Sequence, residues 1–369
     1  MRCRISLIVL IFFVGISSTA YSKPLNIVLF SPNFNEKDFW GEVHHFARAS
    51  AKSLGINFRV NYNTLGSRSY YLESVEDVLK SEQKPDAFLA VSFLQTTQGL
   101  LDLSVKYNTP VILINNALPK ETSKLIGAPR SHYKTYIGHI AADDYHLSYL
   151  LSRYLLMQAK LFNGKASIAE VVAIAGSRDA PESALRNLGL TMAIQESDNG
   201  KLMQIVYADW KPSRAFKMSN TFMKRYKQLQ VIWSSSDLMA LSAQRAINQS
   251  DKSKQIVTGG IDWTPNAIAA IKSGNLTASA GGHFTDGGYA LVMLYDYLNG
   301  RDFAEVMDLS SHSASALIHQ GNIDKYYDLL TRKDWQSIDF KQYSRVLHPD
   351  NKGYDFSFER LLELAEKSK

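Results

Sequence analysis

From residue 25 onward the chain alternates short apolar runs with longer segments of helical period, and this alternation narrows the fold to a doubly wound α/β type. The runs 25–30, 57–62, 87–91, 111–115, 171–175, 202–207, 231–234, 256–260 and 276–280 read as strands. Nearly all are continuously apolar, as in parallel strands buried on both faces. Between them lie helical segments that include 41–54, 143–159, 181–196, 237–248 and 285–299, with Asp143, Asp237 and Thr285 expected as caps. So many strands exceed one comfortable sheet, and a polar stretch at 141–144 separates the fourth from the fifth, so two sheets are expected. After Gly321 the chain turns rich in charge and aromatics, and it is expected to pack on the body.

The segment before the first strand has its own pattern. A basic start (Arg2, Arg4), an apolar run from Ile5 to Ile16 and the small or polar Ser17, Ser18, Thr19 and Ala20 have the layout of an export signal cut after Ala20 or Ser22. The apolar run is about a dozen residues, short of the ~20 that cross a bilayer. Cys3, the only cysteine, precedes that run and leaves with it. The remaining chain can form no disulfide or thiolate, and at about 345 residues it needs no staple. Of the formal charge of +6, Arg2 and Arg4 supply two, leaving a mild +4. The basic residues are scattered among acids, and patches such as 224–227 read as solvated helix faces, so nucleic acid is not an expected partner.

Signatures of catalysis are missing from the sequence. It has no GxGxxG after the first strand, no GxxxxGK[ST], no GxSxG and no HExxH. His44 and His45 are adjacent, so on a helix they point about 100° apart. His312 and His319 have no nearby Cys or acid, and no metal or cofactor site is expected. What remains is polar and aromatic chemistry at strand ends, where open α/β sheets bind ligands. Asn35, Phe39 and Trp40 follow the first strand. Ser92, Asn115, Asn116, Trp210, Ser236, Asp262, Trp263, Gly282 and His283 follow others. Aromatic rings stack on the apolar faces of a sugar ring, while Asn, Asp and Arg pair with its hydroxyls.

The stretches His139-Ile140-Ala141-Ala142-Asp143-Asp144, Arg186-Asn187-Leu188-Gly189-Leu190, Ser236-Asp237-Leu238-Met239-Ala240-Leu241 and Gly260-Ile261-Asp262-Trp263-Thr264-Pro265, with 270–276 downstream, carry a resemblance. From about Leu25 to Arg301 the chain resembles the periplasmic sugar-binding proteins of the ribose-binding type, which include the receptor for autoinducer-2. The resemblance implies a type I periplasmic binding protein: two Rossmann-like lobes joined by a multi-strand hinge. The expected N-terminal lobe is 23–142 with 283–311 and the C-terminal lobe 143–282 with 312–330, followed by an extension at 331–369. The resemblance also assigns roles. Phe39 and Trp40 match a stacking pair, Trp210 the aromatic on the opposite ring face, and Arg186 an arginine that reaches ring or hydroxyl oxygens. Asp262 matches a carboxylate that accepts two hydroxyls, and Ser236 stands where ribose binders carry Asn.

Two positions depart from the family. Asn115-Asn116 replaces adjacent Asp and Arg, and Gly282 replaces Gln, which implies a less charged, roomier pocket. The expected ligand is small and polar, larger than ribose, and uncharged or weakly anionic, with Arg186 as the main cationic contact. Structural alternatives stand beside these roles. Phe39 and Trp40 could instead staple the first helix, Trp210 pack a loop, Arg186 pair with Glu182 four residues before it, and Trp263 and His283 cover a lobe edge.

The implied function is capture of a sugar or sugar-like solute, autoinducer-2-like ones included, between closing lobes in the periplasm, with no reaction. The membrane partner would be an ABC permease, or the outer domain of a sensor kinase or cyclase, an option raised by the long tail. A sugar-responsive repressor would need an N-terminal helix-turn-helix where the export signal stands. An enzyme would need a nucleophile, base and orienting group at the strand ends.

Overall fold

A computed structural model describes residues 23–367 apart from 33–35, 37, 94, 164–167 and 252–255. The expected export signal, residues 1–22, lies outside the described residues. The first of two six-stranded sheets contains β1 (Asn26–Ser31), β2 (Asn57–Tyr62), β3 (Ala87–Val91), β4 (Val111–Asn115), β5 (Tyr136–Ala141) and β11 (Ser310–His312). Their order is β11-β5-β4-β3-β1-β2, all parallel. The second contains β6 (Ala169–Ala175), β7 (Gly200–Tyr207), β8 (Leu229–Ser234), β9 (Val257–Ile261), β10 (Ala278–Gly281) and β12 (Ala316–His319). Its order is β12-β10-β9-β8-β6-β7, parallel except where β12 runs against β10.

Helices α1 (Phe39–Leu54), α2 (Arg68–Leu79), α3 (Thr97–Lys106), α4 (Lys120–Ile126) and α10 (Asp286–Leu298) accompany the first sheet. Helices α5 (Asp144–Asn163), α6 (Pro181–Gln195), α7 (Pro212–Arg225), α8 (Asp237–Asn248) and α9 (Pro265–Lys272) accompany the second. The chain passes between the sheets at 142–143, at Gly282 and at 313–315. The apolar runs of β3 and β4 are buried along their whole length, because helices cover both faces of each sheet.

Local signals place the helix starts. The Asp38 side chain accepts from Trp40 N at 3.0 Å and caps α1, which ends at Gly55 with φ 69°. Proline opens α6, α7 and α9. Asp143 acts as expected, accepting from His146 N at 2.9 Å. Two caps differ from expectation. Ser236 caps α8, whereas Asp237 is fully buried and accepts from Thr264 N, Thr264 Oγ1 and Ser279 Oγ. Thr285 stands at the α10 cap position, but its hydroxyl donates to Gly282 O.

Three strands lie outside the sequence reading. In β5, Gly138 and His139 interrupt the apolar run. The glycine makes room for the Phe303 ring, which would stand 3.0 Å from a Cβ there, and His139 Nε2 lies 3.0 Å from Asn116 O. The other two, β11 and β12, are only three and four residues long.

The chain after Gly321 folds back over both sheets' helices through α11 (Ile323–Arg332) and α12 (Phe358–Lys367). Phe46 of α1 meets Trp335 and Phe340 at ring distances of 5.4 and 5.1 Å, and Tyr289 of α10 stacks on Phe356 at 4.2 Å. On the second-sheet side, Trp263 packs against Phe358 at 4.8 Å and Tyr326 at 5.7 Å. Buried Asp296 of α10 accepts from Ser344 Oγ, Arg345 N and Tyr354 Oη. One aromatic cluster therefore reaches from α1 to α9.

Candidate functional site

The strands of both sheets end toward a common cleft of about 250 Å³. The first-sheet side supplies Asp38, Phe39, Trp40, Asn115 and Asn116. The second supplies Glu182, Arg186, Trp210, Ser236, Leu238 and Asp262, with His283 entering from a crossing segment. Phe39 and Trp40 sit on the first turn of α1, ring to ring at 5.4 Å and 73°, and Phe39 also lies 4.5 Å from the His283 ring. Asn115 donates to His283 O at 3.2 Å and Asn116 to Ser92 O at 3.0 Å, so each amide is fixed by backbone.

Opposite them Arg186 is buried, its Nε 2.7 Å from Asp144 Oδ1 and its Nη1 2.7 Å from Ser235 O. Asp262 Oδ1 lies 3.6 Å from the same guanidinium and 3.7 Å from His283 Nε2. The Trp210 ring centre is 5.8 Å from the guanidinium carbon. Three cleft residues hold left-handed backbone despite carrying side chains: Asn115 (φ 74°), Trp210 (φ 58°) and Asp262 (φ 136°). Such conformations cost on the order of 1–3 kcal/mol each and persist where surrounding structure imposes them.

Burial dominates the electrostatics. It pushes Asp262 well above the carboxylate range, helped by nearby Asp237 and opposed by Arg186. It raises Glu182 to about 7, reinforced by the Asp144 charge, and raises Asp144 and Asp237 as well, the latter to about 6. Burial, then the Arg186 charge, holds His283 well below its ordinary value, so its imidazole is neutral.

The eight residues first singled out, Phe39, Trp40, Asn115, Asn116, Arg186, Trp210, Ser236 and Asp262, all line the cleft, as does His283. Asn35 lies outside the described residues. Ser92 does not line the cleft; its hydroxyl pairs with Thr97 Oγ1 and its carbonyl holds Asn116. Trp263 is turned away, with Nε1 donating to Ser279 O at 3.1 Å and its ring under Phe358. Gly282 does not open the pocket wall. A Cβ there would meet Ala314 O at 2.4 Å and the Phe358 ring at 2.6 Å, on a backbone with φ 129°. Arg186 pairs with Asp144 instead of Glu182, a partner 42 residues away that spacing along one helix could not suggest. Glu182, Asp38 and Leu238 are additional lining residues; Glu182 stands four residues before Arg186 on α6, the one spacing that the sequence offered. His44 and His45 both reach Glu36, at 3.3 and 3.4 Å, and no metal-holding group of His, Cys, Asp and Glu occurs among the described residues.

Two mostly parallel α/β sheets with a ligand-sized cleft at their shared strand ends define a two-lobed binding protein. The family model described as "Periplasmic binding protein domain" matches residues 27–302, and the chain belongs to that family. It is 21% identical over 262 residues to the D-allose-binding periplasmic protein of Escherichia coli (strain K12), covering 70% of this chain and 80% of that one. To the galactofuranose-binding protein of the same organism it is 23% identical over 277 residues, covering 72% and 79%. A crystal structure of a periplasmic sugar-binding protein from Pseudomonas fluorescens superposes with a TM-score of 0.80 at 26% identity, covering 92% of this chain and 99% of that one. Membership places the chain among binding proteins, not enzymes.

Proposed function

We propose that the protein captures a small sugar-like ligand between its two lobes in the periplasm and delivers it to an ABC permease. The carrying observation is the cleft itself: Phe39, Trp40 and Trp210 offer flat apolar faces, while Asn115, Asn116, Arg186, Ser236 and Asp262 converge as hydrogen-bonding groups. That division suits a ring whose faces are C–H and whose rim is hydroxyl. Relatives named for allose, galactofuranose and ribose support the ligand class. Among the described residues no helix is long and apolar enough to cross a membrane. The lobes would be the unit 23–142 with 283–311 and the unit 143–282 with 312–330, closing about the crossing segments. A sensor domain is the alternative partner; a solved relative titled as an ABC transporter periplasmic solute binding protein with bound D-allose supports the permease. Native mass spectrometry of the purified protein, followed by a thermal-shift panel of sugars, tests the proposal. A retained or panel sugar that stabilises the protein and is recovered unchanged is the expected result; turnover of it, or no response to any sugar, would overturn it.

A further inference from the structure

The ionisable side chains that line the cleft are mostly acids. Asp38, Glu182 and Asp262 bring three carboxyl groups, and Arg186 is the one cation among the described lining residues. Arg186 is already engaged by Asp144, which lies behind it at 2.7 Å. One guanidinium is thus shared by Asp144, Asp262 and, through space, Glu182. Glu182 Oε2 is buried without a hydrogen-bond partner. His283, which also lines the cleft, is 1% exposed and has no hydrogen bond at either ring nitrogen. Leaving buried polar atoms without partners is costly, so an occupant that satisfies them is favoured.

An anionic ligand meets the wrong potential here, since its natural partner, Arg186, is neutralised from behind. The proposal therefore departs from the uncharged or weakly anionic ligand that the resemblance implies. A neutral sugar supplies hydroxyls but leaves the surplus of carboxyl groups untouched. A ligand carrying one ammonium supplies donors and lets Glu182 and Asp262 give up the protons that burial holds on them, and the rings of Phe39, Trp40 and Trp210 attract a cation as well as a C–H face.

Resting on the sugar-capture reading, the geometry points to an amino sugar, a hydroxylated ring bearing a primary ammonium directed to Glu182 and Asp262, as the preferred ligand class. Glu182, on the first turn of α6, is then the residue that sets the charge specificity.

Calorimetric titration of the native protein with matched sets tests this: glucose, glucosamine and glucuronate, then galactose, galactosamine and galacturonate. The expected result is an amino sugar that binds at least about tenfold tighter than its neutral parent, with no binding of either uronate. In Glu182→Gln that advantage should shrink to less than about threefold, while Glu182→Asp, which keeps an ionisable carboxyl, should retain most of it. A neutral parent that binds as tightly as its amino partner, or a uronate that binds, overturns the charge inference and leaves sugar capture standing. If no member of either set binds while another sugar of the thermal-shift panel does, the amino-sugar inference fails and sugar capture stands; if no sugar of the panel binds either, both fail.

Discussion

The indole of Trp210 lies over Gly176 at the end of β6, so close that a Cβ at Gly176 would stand 2.1 Å from the ring. The cleft wall opposite Phe39 and Trp40 therefore depends on a missing side chain. Gly176→Ala is expected to push the ring out of place and weaken binding of the panel's best sugar by about tenfold or more. Calorimetry together with an unchanged far-ultraviolet circular dichroism spectrum checks it; unchanged affinity would show that Trp210 does not hold the ligand.

Arg186 supports the fold as well as the cleft. Removing it strands Asp144 and Asp262 in a buried setting, and breaking such a pair costs about 3–5 kcal/mol. Arg186→Ala should lower stability by that order in urea denaturation. Adding Asp144→Asn should recover a large part of the loss, because the stranded charge goes with it. If the double variant is no more stable than the single one, Asp144 is not the arginine's main counter-charge.

Glu182 gives stability a definite pH dependence. Its folded value of about 7 lies above the ordinary 4.5, so the folded state holds the proton more tightly than the unfolded chain. That contribution is fully present below about 4.5 and is lost as pH rises through 7, by up to about 3 kcal/mol. The charges around it are Asp144, Asp179 and Arg186. Glu182→Gln should therefore gain stability relative to the parent between pH 5 and pH 8. Parallel denaturation curves at the two pH values check the sign, and a constant difference would contradict it.

Gly282 is expected to tolerate no side chain. Its positive φ and its approach to Ala314 O and the Phe358 ring act together, so Gly282→Gln should cost more than about 2 kcal/mol and confer no affinity for ribose. Phe358→Ala relieves only the ring contact, so adding Gly282→Gln to it should still lower the melting temperature. Equal melting temperatures for Phe358→Ala with and without Gly282→Gln would show that the backbone imposes no penalty.

Much of this fold was legible because parallel strands covered on both faces are nearly pure apolar runs, as β3 and β4 are. β5 escaped notice because its Gly138 and His139 answer to Phe303 and to Asn116 O, partners distant in sequence. Strand ends pointed to the cleft, yet not to which side chain faces it. At Asp262-Trp263 both residues have positive φ, strict alternation is lost, and the carboxylate turns to the cleft while the indole turns to the tail. Asp144 was hidden for another reason: a buried ion pair is chosen by three-dimensional proximity, and nothing in the spacing from Arg186 announces it.

β11 and β12 follow one another closely in the chain, yet one pairs with β5 and the other with β10. Each sheet thus receives an edge strand from the same short stretch near residue 315, after the chain has already visited both. Neither half is a severable module. A fragment ending before residue 283 would lack α10 and β11 from one sheet and β12 from the other, and would expose the apolar surface they cover. The two lobes should therefore melt in one cooperative transition, and a proteolytic nick near 313–315 should loosen both at once.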